Sequence, residues 1–201
     1  MAPLTGLGML KGLWVTFRRM VNTYLVDLRW RGKRYSSAAG LQDRLVHSTQ
    51  GIFTIQYPEE KIPSPENFRY IPFLVYDEME SGERKIRCTA CGICARVCPP
   101  QCIWITRAVD PETKKPLTLP SEFVIEADVC MNCGLCAEFC PFDAIQMDHN
   151  YEIATRGRLT ELLYNLEVLS KPASYHAAIH PLRNRMEELQ RGAKNEEASE
   201  R

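Results

Sequence analysis

The chain has 201 residues, 45% of them hydrophobic, with thirteen prolines and a formal net charge of zero; this allows one compact core with extended arms around it. No run of eighteen apolar residues occurs, because Lys11, Arg18 and Arg19 interrupt the most hydrophobic stretch, so a bilayer-spanning helix is excluded. Nine cysteines, eight of them in two tight groups, are the wrong layout for a secreted disulfide framework, and the start MAPLTGLGMLKGLW does not read as a secretory leader, so a reducing compartment is expected.

From Leu10 the apolar residues Leu13, Trp14, Phe17, Met20, Val21, Tyr24, Leu25 and Leu28 advance in steps of three and four, which predicts an amphipathic helix over residues 8–29. Residues 1–50 carry eight Lys or Arg against Asp27 and Asp43, a local charge of +6. Basic residues beside an apolar stripe suit a helix lying in a membrane surface or in a protein groove better than one binding nucleic acid. The proline-rich GIFTIQYPEEKIPSPENFRYIP, residues 51–72, lacks periodicity and reads as an extended arm ordered by what it lies against. PFLVYDEMESGERKIRC predicts a hairpin around Ser81-Gly82, and DPETKKPLTLP a second turn between strands at 103–109 and 123–125. RLTELLYNLEVLS, residues 158–170, has a helical pattern, and the charged last ten or so residues are expected to be disordered.

The chemistry lies in CTACGICARVCP, residues 88–99, and CMNCGLCAEFCP, residues 130–141, which repeat one spacing at an offset of forty-two residues. Each is C-x2-C-x2-C-x3-C-P: Cys88, Cys91, Cys94, Cys98 and Pro99, then Cys130, Cys133, Cys136, Cys140 and Pro141. Structural zinc takes cysteines in separated pairs, and eight thiols in two short runs would strain any disulfide scheme. The spacing is that of bacterial-type ferredoxins, where three thiolates wrap one [4Fe–4S] cluster and the fourth serves the other. The expected ligand sets are therefore crossed: Cys88, Cys91, Cys94 and Cys140 for the first cluster, Cys130, Cys133, Cys136 and Cys98 for the second. The fold class expected is α+β, a 2[4Fe–4S] ferredoxin-like core with an internal two-fold repeat, flanked by the N-terminal helix, the arm and a C-terminal helix and tail.

Other positions of the repeat agree with this reading. Gly92 matches Gly134, and Ile93/Leu135, Val97/Phe139 and Ile103/Ile145 are apolar in both copies, as expected of residues that keep water from the clusters. Cys102 has Ala144 as its counterpart and is expected to be a buried free thiol. Arg87 and Arg96 correspond to Val129 and Glu138, which predicts a higher potential for the first cluster. The four histidines, His47, His149, His176 and His180, share no metal-ligand spacing. No glycine-rich phosphate loop follows a predicted strand, so direct NADH or flavin binding is not expected, and no catalytic residue is recognisable.

The flanks narrow the choice among proteins with this core. FTIQYPEEKIPSPENFRYIP before the motifs and DHNYEIATRGRLTELLYN after them resemble the iron–sulfur subunit I of respiratory complex I, over roughly residues 8–170. The resemblance implies an electron-carrying subunit of a proton-pumping NADH:quinone oxidoreductase, without a substrate site of its own. It would contact other peripheral-arm and membrane-arm subunits and sit on the cytoplasmic face of a bacterial inner membrane, the N-terminal helix at the junction. The corresponding subunit of a membrane-bound hydrogenase and a free soluble ferredoxin are the alternatives. The domain division expected is 1–50 for the helix and linker, 51–76 for the arm, 77–150 for the ferredoxin-like domain and 151–201 for a C-terminal extension.

Overall fold

The computed structural model describes residues 5–79, 82–157 and 161–199. The chain packs as two compact units, residues 1–64 and 65–201. Among the described residues the one hydrophobic core expected from composition lies in the second unit, and the boundary between the units falls inside the arm of residues 51–76.

In the first unit, helix α1 spans Thr5–Trp30. Its apolar stripe is exposed, from Leu10 at 63% to Leu28 at 71%. Left-handed Arg31 and Gly32 end it, and helix α2, Ala38–Arg44, is capped by the Ser37 hydroxyl accepting from Gly40 N–H at 3.1 Å. Two of the basic residues counted toward the interfacial charge are buried instead. Arg34 donates to Asp27, to Asp43 and, at 2.6 Å, to the Gln50 carbonyl, with its guanidinium 4.6 Å from the Phe53 ring. Arg44 pairs with Glu60 and lies over Tyr35 at 4.4 Å. Tyr35 Oη also accepts from Thr54 N–H at 2.8 Å. The first part of the arm is thereby fastened to α2 and its flanking turns by charge-assisted bonds.

The second unit begins with β1, Pro72–Glu78, which forms the expected hairpin with β2, Arg84–Ile86. Helix α3, Ile93–Val97, follows, and then a long antiparallel hairpin of β3, Ile103–Val109, and β4, Pro116–Glu126. Helix α4, Leu135–Glu138, leads to β5, Ile145–Met147, which pairs antiparallel with β1. The helix expected across 158–170 is not what forms. Residues 158–160 lie outside the described residues, and beyond them run β6, Leu163–Tyr164, the single turn α5, Leu166–Leu169, and β7, Ser170–Pro172. The reason is local: Asn165 is extended and its side chain accepts from Val168 N–H at 3.0 Å, which starts a new helix where the pattern would continue an old one.

Strand β7 pairs parallel with β1, giving one sheet of β2-β1-β5 with β7, while β3, β4 and β6 form the other. Helices α6, Ala173–Ile179, and α7, Pro181–Ser199, close the chain. The helix to Ser199 replaces the disordered end expected from composition; Glu, Lys, Arg and Ala are strong helix formers even where few apolar residues occur. The fold is mixed α and β. Its core joins Leu74, Phe123, Ile125, Ile145, Met147 and Leu169 to the cysteines.

Candidate cluster-binding site

Both cysteine loops have the same backbone. Ala90 and Asn132, at corresponding positions, have φ of 52° and 53°, and Gln101 and Asp143 have 54° and 48°. Left-handed residues other than glycine cost about 1–2 kcal/mol each and persist where the surroundings impose them. Gly92 and Gly134, at φ 76° and 79°, start α3 and α4. Each loop thus turns back on itself before its helix, so that its first three cysteines face one side.

These turns group the eight sulfurs around two spaces. Cys88, Cys91, Cys94 and Cys140 line one cavity, together with Leu74, Ile93, Ile105, Phe123, Phe142 and Ile145. Cys130, Cys133, Cys136 and Cys98 line the other, with Pro72, Ile103, Ile125, Met131 and Met147. About 330 Å³ free of protein atoms lies within each, part of it open to solvent. All nine cysteines are free thiols. No three His, Cys, Asp or Glu side chains among the described residues converge tightly enough for a single ion; the thiols stand around cavity walls instead.

The donor set fits a polynuclear iron–sulfur group. Burial pushes the Cys94 and Cys136 thiols up to about 12, and neighbouring cysteine sulfurs add to the shift. Burial raises Cys88 and Cys130 in the same direction. Thiolates in these walls therefore need a positive partner, and iron, by displacing their protons, would supply it. Polar groups are present for sulfide ligands as well. Thr89 Oγ1 is buried on the first cavity's wall without a hydrogen-bond partner, and Ala90 and Ala144 N–H each donate to a cysteine sulfur, Cys88 and Cys140, at 3.4 Å. Of the apolar residues matched by the repeat, Ile93, Ile103 and Ile145 line a cavity, whereas Leu135, Val97 and Phe139 do not; Phe139, which follows the single turn of α4, is 57% exposed.

The charge difference between the loops is smaller than the sequence suggests. Arg87 is held by Asp77 in a two-pronged pair, and Glu138 is paired with Arg69, which also donates to the Cys133 carbonyl. Arg69 packs over Gly134, where an added Cβ would lie 2.9 Å from its Nη1. The first loop has a similar brace, Arg107 Nε donating to the Ala90 carbonyl at 2.9 Å. Neither brace is legible in the sequence, since each arginine comes from outside the motif it serves.

Sequence reasoning also missed a buried polar layer behind β1 and β5. His176 is fully buried and His180 nearly so, and the rings of His149, His180 and His176 follow one another at 4.8 and 5.4 Å between centroids, the first pair edge-to-face and the second tilted. His180 bonds the Met147 carbonyl at 2.8 Å, and Glu187 accepts from Gln146 and Arg183 at 2.9 and 3.2 Å. Asp148 accepts from Lys171 and Tyr175; burial raises it, but these two donors together hold its carboxyl below the usual range.

The 4Fe-4S dicluster domain family matches residues 87–144. NADH-quinone oxidoreductase subunit I 2 of Symbiobacterium thermophilum is 40% identical over 125 residues, 62% of this chain and 50% of that protein. A protein of the same name from Geobacter metallireducens is 35% identical over 120 residues, 59% of this chain and 85% of its own length. The chloroplastic NAD(P)H-quinone oxidoreductase subunit I of Phaseolus vulgaris is 37% identical over 141 residues, 70% of this chain and 80% of its own. The chain spans half or less of the first relatives: 50% of the Symbiobacterium protein, and 29% and 28% of the subunit I proteins of two Anaeromyxobacter strains.

Proposed function

Because the chain belongs to the NADH-quinone oxidoreductase subunit I family, we propose that it is an electron-relay subunit of a proton-pumping NADH:quinone oxidoreductase. In this reading Cys88, Cys91, Cys94 and Cys140 hold one [4Fe–4S] cluster and Cys130, Cys133, Cys136 and Cys98 hold a second, within a core of two-fold internal repeat. Each cluster, when bound, takes up and passes on one electron. The observation that carries the reading is the sorting of the eight motif thiols into two apolar cavities, four to each, with Cys102 also on the second wall and one thiol in each set contributed by the other motif.

The chain's own part is to bind, space and insulate. Because Cys98 and Cys140 reach across, each loop is tied to both sites, so the separation of the sites is set by the polypeptide. Phe123, Ile125 and Ile145, each at most 2% exposed, keep water out; a low local dielectric and few water dipoles are levers on potential. No bond to a substrate is made by this chain, and NADH and flavin are bound elsewhere in the complex. Its partners are the neighbouring peripheral-arm and membrane-arm subunits. Helix α1, with its exposed apolar stripe and basic neighbours, lies against the cytoplasmic face of the inner membrane.

The test is to add NADH to the isolated native complex and follow the electron paramagnetic resonance signals of wild type and Cys140→Ala. Two signals that NADH reduces, of which Cys140→Ala loses the one assigned to Cys88, Cys91 and Cys94, support the reading. Signals that NADH cannot reduce, or loss of the other cluster, would overturn it.

A further inference from the structure

The ninth cysteine occupies the same place in the repeat as Ala144. Both follow a left-handed residue, Gln101 and Asp143, four positions after the last cysteine of their motif. Both side chains reach a cavity wall, Ala144 in the first and Cys102 in the second. One half of the molecule therefore presents a methyl to its site where the other presents a fifth thiol. Cys102 is 1% exposed, and its sulfur lies 3.5 Å from that of Cys98.

We infer that Cys102 is a reserve ligand of the second cluster, able to take the iron position of Cys98. The inference rests on the crossed ligand sets proposed above. The turn between the two residues makes it possible: Gln101 N–H donates to the Cys98 carbonyl at 3.1 Å, which leaves Pro99 exposed, keeps Pro100 on the cavity wall and brings residue 102 back beside residue 98. The two sulfurs stand 3.5 Å apart on the wall of one cavity, so a side-chain rotation is the movement the exchange asks of Cys102. In the exchange the Cys98 sulfur–iron bond breaks and a Cys102 sulfur–iron bond forms. The thiol proton of Cys102 passes to the Cys98 sulfur, and no electron changes place. Where residue 98 has no sulfur, that proton leaves to solvent as the cluster is assembled. Thiolate is the ligand in either case, so the second site keeps its charge.

The repeat supplies the control, because Cys140 has only Ala144 beside it. Full-length variants are assembled in the native complex, and iron and acid-labile sulfide per chain are measured along with the reduced-state resonance spectrum. Cys98→Ala and Cys102→Ala are each expected to keep both clusters, with the second cluster's signal shifted in Cys98→Ala alone. Cys98→Ala with Cys102→Ala should lose that cluster and about half of the iron. Cys140→Ala should lose the first cluster, and adding Ala144→Cys to it should restore that cluster. Loss of the second cluster in Cys98→Ala alone, or failure of that variant to accumulate where Cys140→Ala does, would overturn the inference and leave the ligand sets standing. Failure of Ala144→Cys to restore the first cluster would also count against the inference. Retention of both clusters in the double variant would show that Cys98 is no ligand, and the ligand sets would fall with it.

Discussion

Arg69 shows how a single side chain outside the motifs can set the field at one site. It donates to the Cys133 carbonyl and to Glu138 at 2.5 Å each, so it brings positive charge to the second loop and cancels a carboxylate there. Removing it leaves Glu138 unpaired, which disfavours the extra electron. The pair is about half exposed, 47% and 45%, so solvent screens most of the effect. Arg69→Ala is expected to lower the midpoint potential of the second cluster by on the order of 10–40 mV, taking about 0.2–1 kcal/mol for an exposed pair. A redox titration that shows an upward shift, or a shift only in the first cluster, would contradict this. Arg34 offers a comparison where burial is complete. Its guanidinium is 2% exposed while Asp27 and Asp43 stay partly in water, so Arg34→Leu should cost toward the lower end of the roughly 3–5 kcal/mol typical of a broken buried pair. The loss would be read as faster hydrogen exchange over residues 32–53, with the iron content unchanged.

Among the elements, α6 and α7 carry the pH dependence. His176, on α6, is pushed down to about 4 by burial, with the His180 ring adding to the shift. Arg87 on the β2–α3 side, Arg183, Asn184 and Glu187 on α7 are the other groups facing it. Its ordinary value of about 6.5 applies once the helices detach. The folded value is the lower one, so the detached state binds the extra proton between these limits. Docking is therefore fully stable above about pH 6.5 and weakens as pH falls toward 4, by up to about 3 kcal/mol at 1.36 kcal/mol per unit. Protection factors for hydrogen exchange of residues 173–187, corrected for the intrinsic rate at each pH, should fall between pH 7 and pH 5 in the wild type, and much less in His176→Phe. An equal fall in both proteins would assign the effect to other groups.

For the whole molecule, α1 is the feature that its own unit leaves unsatisfied. Leu10, Leu13, Trp14, Phe17, Tyr24 and Leu28 are all more than half exposed, a contiguous apolar surface of the kind that marks an interaction site. Deleting residues 1–25 spares Asp27 and its bond to Arg34. The shortened protein should keep both clusters and lose attachment to membranes, appearing in the wash at high salt. Membrane retention at the wild-type level would remove the anchoring role from α1.

Chemistry written as short-range spacing was determined by the sequence alone. Four cysteines within eleven residues, the matching glycines at 92 and 134, the period of α1 and the two hairpins depend on neighbours a few positions apart, and local backbone preferences suffice to read them. Where a local pattern competed with a cap, as at Asn165, the pattern misled, and a tail judged by its few apolar residues proved helical. What the tertiary structure decided involves partners far apart in the chain. Arg69 meets Glu138 across sixty-nine positions, Gln146 meets Glu187 across forty-one, and His149, His176 and His180 share one buried layer. The burial of Arg34 and Arg44, which turned surface charge into internal struts, is of the same kind. Whether a charged side chain faces water or a carboxylate is fixed by which elements close over it, and no spacing within the chain carries that information.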